Sequence, residues 1–233
     1  MQNQSFYICY KKYENQFSLG IFKVYYIKIT KVKIFVFDTE TTGFINKKDA
    51  NLKKQPHIVQ FAWVLWDLNN WEFIEESRID VYINPWIAIP YAASLVNNIY
   101  NIDIQNKSPI NHHIEDILYY INTPDIIVWH NIEYDEGMVK IELKRLWREY
   151  DYRPKQIICT MKNSVDFCSI KGNWERFKYP KLGELYKTLF WEYFVWAHNA
   201  IVDVENTLKC FLELVKKDVI KVEEKKETVM SLF

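Results

Sequence analysis

Apolar positions along this chain alternate between strand-like runs and helix-like spacing. Residues 32–37, Val-Lys-Ile-Phe-Val-Phe, form a compact β-branched and aromatic run that closes on an acidic, Thr-rich turn ending at Gly43, as a buried strand does. A polar, lysine-bearing stretch over 46–56 separates it from a second apolar run at 58–66 and a third at 79–83, which predicts an antiparallel meander. Past the Pro85 to Pro90 loop the pattern predicts helices over 91–97 and 110–121, then a short central strand at 126–129.

Val139, Leu143, Leu146 and Tyr150 recur at helical spacing on one face, so a long helix is expected there, followed by a short strand over 156–159. Val204, Leu208, Phe211 and Val215 repeat that spacing in a last helix closed by lysines. The predicted fold class is α/β: a mixed sheet, an antiparallel meander plus parallel strands, flanked by helices. Residues 1–30, with one short strand over 21–29, read as an N-terminal extension of unknown role. Residues 31–220 read as one domain and 221–233 as a flexible charged tail.

Composition narrows the classes. With 49% hydrophobic and 17% aromatic residues but only 5 Gly and 7 Pro, the 233-residue chain is neither disordered nor fibrous, and it is long enough to bury a core. Thirty basic residues balance thirty acidic ones, so no overall field draws a polyanion, and any such ligand must be held locally. Cys9, Cys159, Cys168 and Cys210 have no metal-binding spacing and read as reduced thiols of a cytoplasmic protein. Neither a signal peptide nor a membrane span is expected.

The chemistry begins at Asp38 and Glu40. Residues two apart on a strand share a face about 6.6 Å apart, so both carboxylates can reach one metal cluster. A bare Asp-x-Glu equally describes a solvated acidic turn. The longer string Phe35-Val-Phe-Asp-Thr-Glu-Thr-Thr-Gly43 is more specific, and it resembles the first motif of the DnaQ-like, or DEDDh, 3′-to-5′ exonucleases, which include the proofreading subunit of bacterial replicative polymerase. His130-Asn-Ile-Glu-Tyr-Asp135 is similar to the second motif and Ala197-His-Asn-Ala-Ile-Val-Asp203 to the third, in the right order and each on the right kind of element. Residues 56–62 and 180–186 resemble the family's scaffold, while Phe44 stands where Leu is commoner and Tyr134 where Phe is commoner.

That resemblance implies an RNase H-like fold and hydrolysis of single-stranded DNA from its 3′ end, with RNA as the alternative substrate and an inactive nucleic-acid-binding module as the remaining reading. It implies two Mg²⁺ or Mn²⁺ ions, with Asp38 shared by both, Glu40 and Asp203 on one and Asp135 on the other. His198 would be the general base, since Asn199 stands where the sister subclass has its Tyr. Thr41, Thr42, Phe44 and Asn131 are expected to bind substrate, with Phe44 stacking on a base or packing on a helix. His57, His112 and His113 read as structural, and His130 stays open. Lys47, Lys48, Lys53 and Lys54 form either a solvated loop or a phosphate contact. The terminus, through Met230, Leu232 and Phe233, resembles sliding-clamp-binding peptides, and a polymerase is a further expected partner.

Overall fold

The computed structural model describes residues 6–9, 25–30, 32–69, 72–173, 176–193, 199–222 and 225–230. Strands β1 (Phe6–Cys9), β2 (Tyr25–Thr30) and β8 (Lys225–Met230) form an antiparallel sheet in the order β1-β2-β8. The main sheet joins β3 (Val32–Thr41), β4 (Ile58–Asn69), β5 (Glu72–Tyr82), β6 (Ile126–Trp129) and β7 (Ile157–Cys159) in the order β5-β4-β3-β6-β7. The first three strands run as the expected meander, and β6 and β7 add in parallel. The helices are α1 (Tyr91–Asn97), α2 (Asn101–Ile104), α3 (Ile114–Asn122), α4 (Ile132–Arg145), α5 (Thr160–Asn163), α6 (Val165–Cys168), α7 (Leu182–Phe190) and α8 (Ala200–Lys216).

β3 is central and covered on both faces, which is why it reads as a nearly unbroken apolar run. Val32, Ile34 and Val36 point into a core shared with Leu185 and Leu189 of α7 and Val204, Leu208 and Phe211 of α8. Phe35 and Phe37 point the other way, into a core shared with Ile117 and Ile121 of α3 and Met138, Val139 and Leu143 of α4. Each fully buried side chain of this size contributes roughly 1.5–3 kcal/mol of transfer free energy, so the strand is fixed in register by both layers. The alternation also decides where the polar end of β3 aims. Asp38 and Glu40 continue the face toward α8, and Thr39 continues the face toward α4.

Some boundaries differ from the sequence expectation. β5 starts well before residue 79 because it is an edge strand whose exposed positions, Glu75, Glu76, Arg78 and Asp80 among them, carry no apolar signal. α4 stops at Arg145: Trp147 takes a left-handed conformation at φ 58°, and the Arg148 N–H returns to the Leu143 carbonyl at 2.8 Å, closing the helix. Tyr150 therefore lies outside the helix, exposed on a short 3-10 turn. Within the expected tail, Lys225 to Met230 form strand β8, which pairs with the edge of β2 in a ladder from Tyr25↔Met230 to Thr30↔Lys225. Among the described residues no helix is long and apolar enough to cross a membrane, and Cys159, Cys168 and Cys210 are free.

Candidate active site

At the end of β3 the register sets Asp38 opposite Ala62 and Glu40 opposite Gln60, and a bulge between Glu40 and Thr41 breaks the ladder just beyond. Asp203 comes from the first turn of α8, which packs on the same face of the sheet. Carboxylate oxygens of Asp38, Glu40 and Asp203 lie within 4.8 Å of one another. The start of α8 is tied to the sheet by Gln60. Fully buried, it donates Nε2 to Asp80 at 2.8 Å while its Oε1 accepts the Ala200 N–H at 3.4 Å, satisfying one orphan donor of the helix.

Asp135 approaches from the opposite face, on the first turn of α4, and is 4% exposed. One of its oxygens accepts the Thr39 N–H at 3.1 Å and the Thr39 hydroxyl at 2.7 Å. Asn131 caps that helix in a left-handed conformation, φ 68° and ψ 49°, which Asn tolerates better than most residues, and it lines the same cleft.

This concentration of carboxylates costs free energy. Burial pushes the Asp38 carboxyl well above the usual range, and the charges of Asp135, Asp203 and Glu40 push it further. Burial, then Asp203 and Asp135, raises Glu40 to about 8. Asp135 is raised to about 7, again by burial, although its bonds from Thr39 pull the other way. Hard divalent cations such as Mg²⁺ or Mn²⁺, which prefer oxygen ligands, are the partners this donor set fits.

The turn after Glu40 is held from three sides. Thr42 N–H donates to the His57 carbonyl at 2.8 Å, and His57 N–H returns a bond to Thr42 Oγ1 at 2.9 Å. The Asn97 amide reaches the Thr41 carbonyl from α1. From α4, the Tyr134 hydroxyl donates to the Gly43 carbonyl at 2.8 Å and touches Thr41 Oγ1 at 2.5 Å. Thr41 and Thr42 are consequently buried with their hydroxyls engaged inside the turn. Phe44 projects from the rim, 89% exposed, with only the Tyr134 ring edge-on at 6.3 Å. The carboxylates sit in a cleft of about 1070 Å³ that is also lined by this turn, α1 and α7.

His130 is a half-buried strut at the lining of the cleft. Its Nε2 meets the Pro180 carbonyl and its Nδ1 the Thr160 hydroxyl, each at 3.0 Å, and burial lowers its pKa to about 4, so the ring is neutral. His198 lies outside the described residues. The four lysines of the loop after the Glu40 turn are exposed and none lines the cleft; Lys54 pairs with Asp49 at 2.8 Å. Thr39, Gln60 and the Tyr134 hydroxyl, which hold the acids and the turn, escaped the sequence reading. The available signal was a polar group inside an apolar run, for Gln60 and Thr39, and a Tyr where Phe is commoner, for Tyr134.

Comparison with known proteins gives consistent matches. A family model described as Exonuclease, of the RNase T type, matches residues 35–211. The 3′-5′ exonuclease DinG of Bacillus subtilis (strain 168) is 27% identical over 190 residues, covering 81% of this chain but 18% of that protein, so the chain spans about a fifth of that relative. Among solved structures, the nuclease domain of 3′hExo, a DEDDh family member, bound to rAMP superposes with a TM-score of 0.63 at 14% identity, covering 83% of this chain and 96% of that one. Exonuclease X in complex with 5′ overhanging duplex DNA gives 0.52 at 20% identity, covering 82% and 96%. E. coli Exonuclease I in complex with a dA16 oligonucleotide gives 0.61 at 17% identity, covering 79% and 41%. At these identities the structural likenesses speak to the fold.

Proposed function

The chain belongs to the RNase T exonuclease family, of the DEDDh type, and from that premise we propose that it releases nucleoside 5′-monophosphates from the 3′ end of single-stranded DNA. The observation that carries this reading is the convergence of Asp38, Glu40 and Asp203 within 4.8 Å in a substrate-sized cleft that Asp135 also lines.

Asp38, Glu40, Asp135 and Asp203 would hold two divalent cations, Mg²⁺ or Mn²⁺. Such a pair supplies water activation and stabilises charge on the attacking and leaving oxygens. The protein's own contribution is placement. Thr39 holds Asp135 at one oxygen and leaves the other for the cleft. Gln60 fixes the start of α8 and with it Asp203. The turn over Thr41 and Thr42, stiffened by Tyr134, Asn97 and His57, presents backbone groups to the terminal nucleotide, and Asn131 faces it across the cleft. Phe44 is exposed enough to stack on a base. His198 takes the proton of the attacking water, as an imidazole with a pKa near ~6.5 can at neutral pH.

The reading is tested with single-stranded DNA labelled at its 5′ end, incubated with Mg²⁺ or with EDTA, beside an RNA of matched sequence. A ladder shortening from the 3′ end only with the cation is the expected result. No cleavage of either polymer, with Asp38→Ala behaving like the unaltered chain, would leave a binding module in its place, and preference for RNA would assign the alternative substrate. The contacts with a sliding clamp and a polymerase rest on sequence resemblance. Met230 pairs with Tyr25 in β8, so clamp binding through it requires that strand to separate, and Leu232 and Phe233 lie outside the described residues.

A further inference from the structure

A strand whose last phosphodiester lies at the four carboxylates must leave the cleft along one of its walls. The α1 wall is contributed by Pro90, Ala92, Ala93 and Val96 and has no charge to offer a phosphate. A second part of the lining is α7, with Tyr193 after it. Lys181 at the N-cap of α7 and Leu182, Gly183, Glu184, Lys187 and Thr188 within it line the cleft, while Leu185, Tyr186 and Leu189 are buried in the core. Glu184 is neutralised by Lys178 at 2.5 Å. Lys181, whose charge also acts on Glu184, and Lys187 are, among the described residues of the cleft, the only lysine or arginine side chains. Tyr193 stands at the end of this wall, 71% exposed, with the Lys187 ammonium against its hydroxyl and 4.3 Å from its ring centroid.

We propose that the α7 wall, through Lys181, Lys187 and Tyr193, is the track for the single strand 5′ of the scissile bond, the lysines meeting phosphates and the tyrosine ring stacking on a base. The ligand is assigned from the proposed nuclease reading, on which the inference rests. An exposed aromatic beside cations, in continuity with a phosphodiester-sized acidic site, is the composition a single-stranded nucleic acid selects. In a chain with balanced charge such a local strip also supplies the attraction that the molecule as a whole lacks.

The experiment measures binding of a fluorescent single-stranded DNA of about ten nucleotides in Ca²⁺, separately from cleavage in Mg²⁺ of that DNA and of the p-nitrophenyl ester of thymidine 5′-monophosphate, which has no upstream strand. Tyr193→Ala should weaken strand binding roughly ten- to hundredfold and lower kcat/KM on the strand relative to the ester by a similar factor. Lys187→Gln should reduce the slope of log affinity against log salt by about one. Tyr150→Ala, which removes an equally exposed aromatic outside the cleft, serves as the control. Unaltered strand binding in both cleft variants, or an equal fall on strand and ester, overturns the track. If the unaltered chain cuts neither probe yet binds the strand and loses it in these variants, the nuclease reading fails while the track stands.

Discussion

Thr39 gives both its backbone N–H and its hydroxyl to the same oxygen of Asp135, across the interface between the central strand and α4. A carboxylate held in this way has one oxygen committed and a fixed direction for the other. Thr39→Val keeps the shape and the backbone bond but loses the hydroxyl. A hydrogen bond to a charged group is worth about 1.5–3 kcal/mol, so kcat/KM on single-stranded DNA should fall roughly ten- to hundredfold, and Thr39→Ser should recover most of it. Full activity in the Val variant would show that Asp135 needs no such support.

Asp38→Asn and Asp203→Asn should each lower cleavage by about three orders of magnitude or more, because the cations lose a ligand and a compensating charge. The same substitutions remove repulsion that the cation-free protein must bear. Asp38→Asn should therefore raise the melting temperature measured in EDTA by a few degrees, about 2–4 °C per kcal/mol for a domain of this size. A fall in that temperature would contradict the electrostatic account.

Stability without cations should decline as pH rises. Glu40 and Asp135 hold their protons up to about 8 and about 7 in the folded chain, whereas an unfolded chain releases them near ~4. Between these limits the folded state binds more protons, so the stability present below about pH 4 is lost as pH climbs through the folded values. Divalent cations substitute for the protons, and their stabilising effect should grow over the same interval. Thermal melts at pH 5, 6.5 and 8, with EDTA or Mg²⁺, check both trends; a higher melting temperature at pH 8 than at pH 5 in EDTA would refute the assignment.

Tyr134→Phe tests the turn. Burial pushes the tyrosine pKa up to about 12, so its hydroxyl remains a donor to Gly43 at any working pH. Its loss should loosen the segment that carries Phe44 and raise KM for a DNA strand about fivefold, the equivalent of one net hydrogen bond of ~1 kcal/mol, with a smaller effect on kcat. An effect confined to kcat would place the hydroxyl in the chemistry instead.

His198→Ala should retain weak activity that rises with pH, since hydroxide replaces the missing base, whereas the unaltered chain should gain activity through a titration near ~6.5 and then level off. Steady-state rates from pH 5.5 to 9 distinguish the two curves. A variant whose rate and profile match the unaltered chain would remove His198 from the role of base.

The sequence by itself determined the elements whose signal is local. Residues 126–129 and 91–97 form the strand and helix that periodicity predicts, and the three acidic motifs announce their family because residue types and spacing within a few positions suffice. Tertiary structure decided what depends on contacts distant in sequence. Thr39 and Asp135 are 96 residues apart, Gln60 and Ala200 140 apart, and nothing in either neighbourhood names its partner. The first half of the edge strand β5 and the pairing of β8 with β2 were likewise illegible, because polar residues pair through a backbone ladder that leaves no hydrophobic pattern. The pKa values followed the same division: sequence supplies the carboxylates, but burial and mutual repulsion exist only after the end of one strand, α8 and α4 bring them into one cleft.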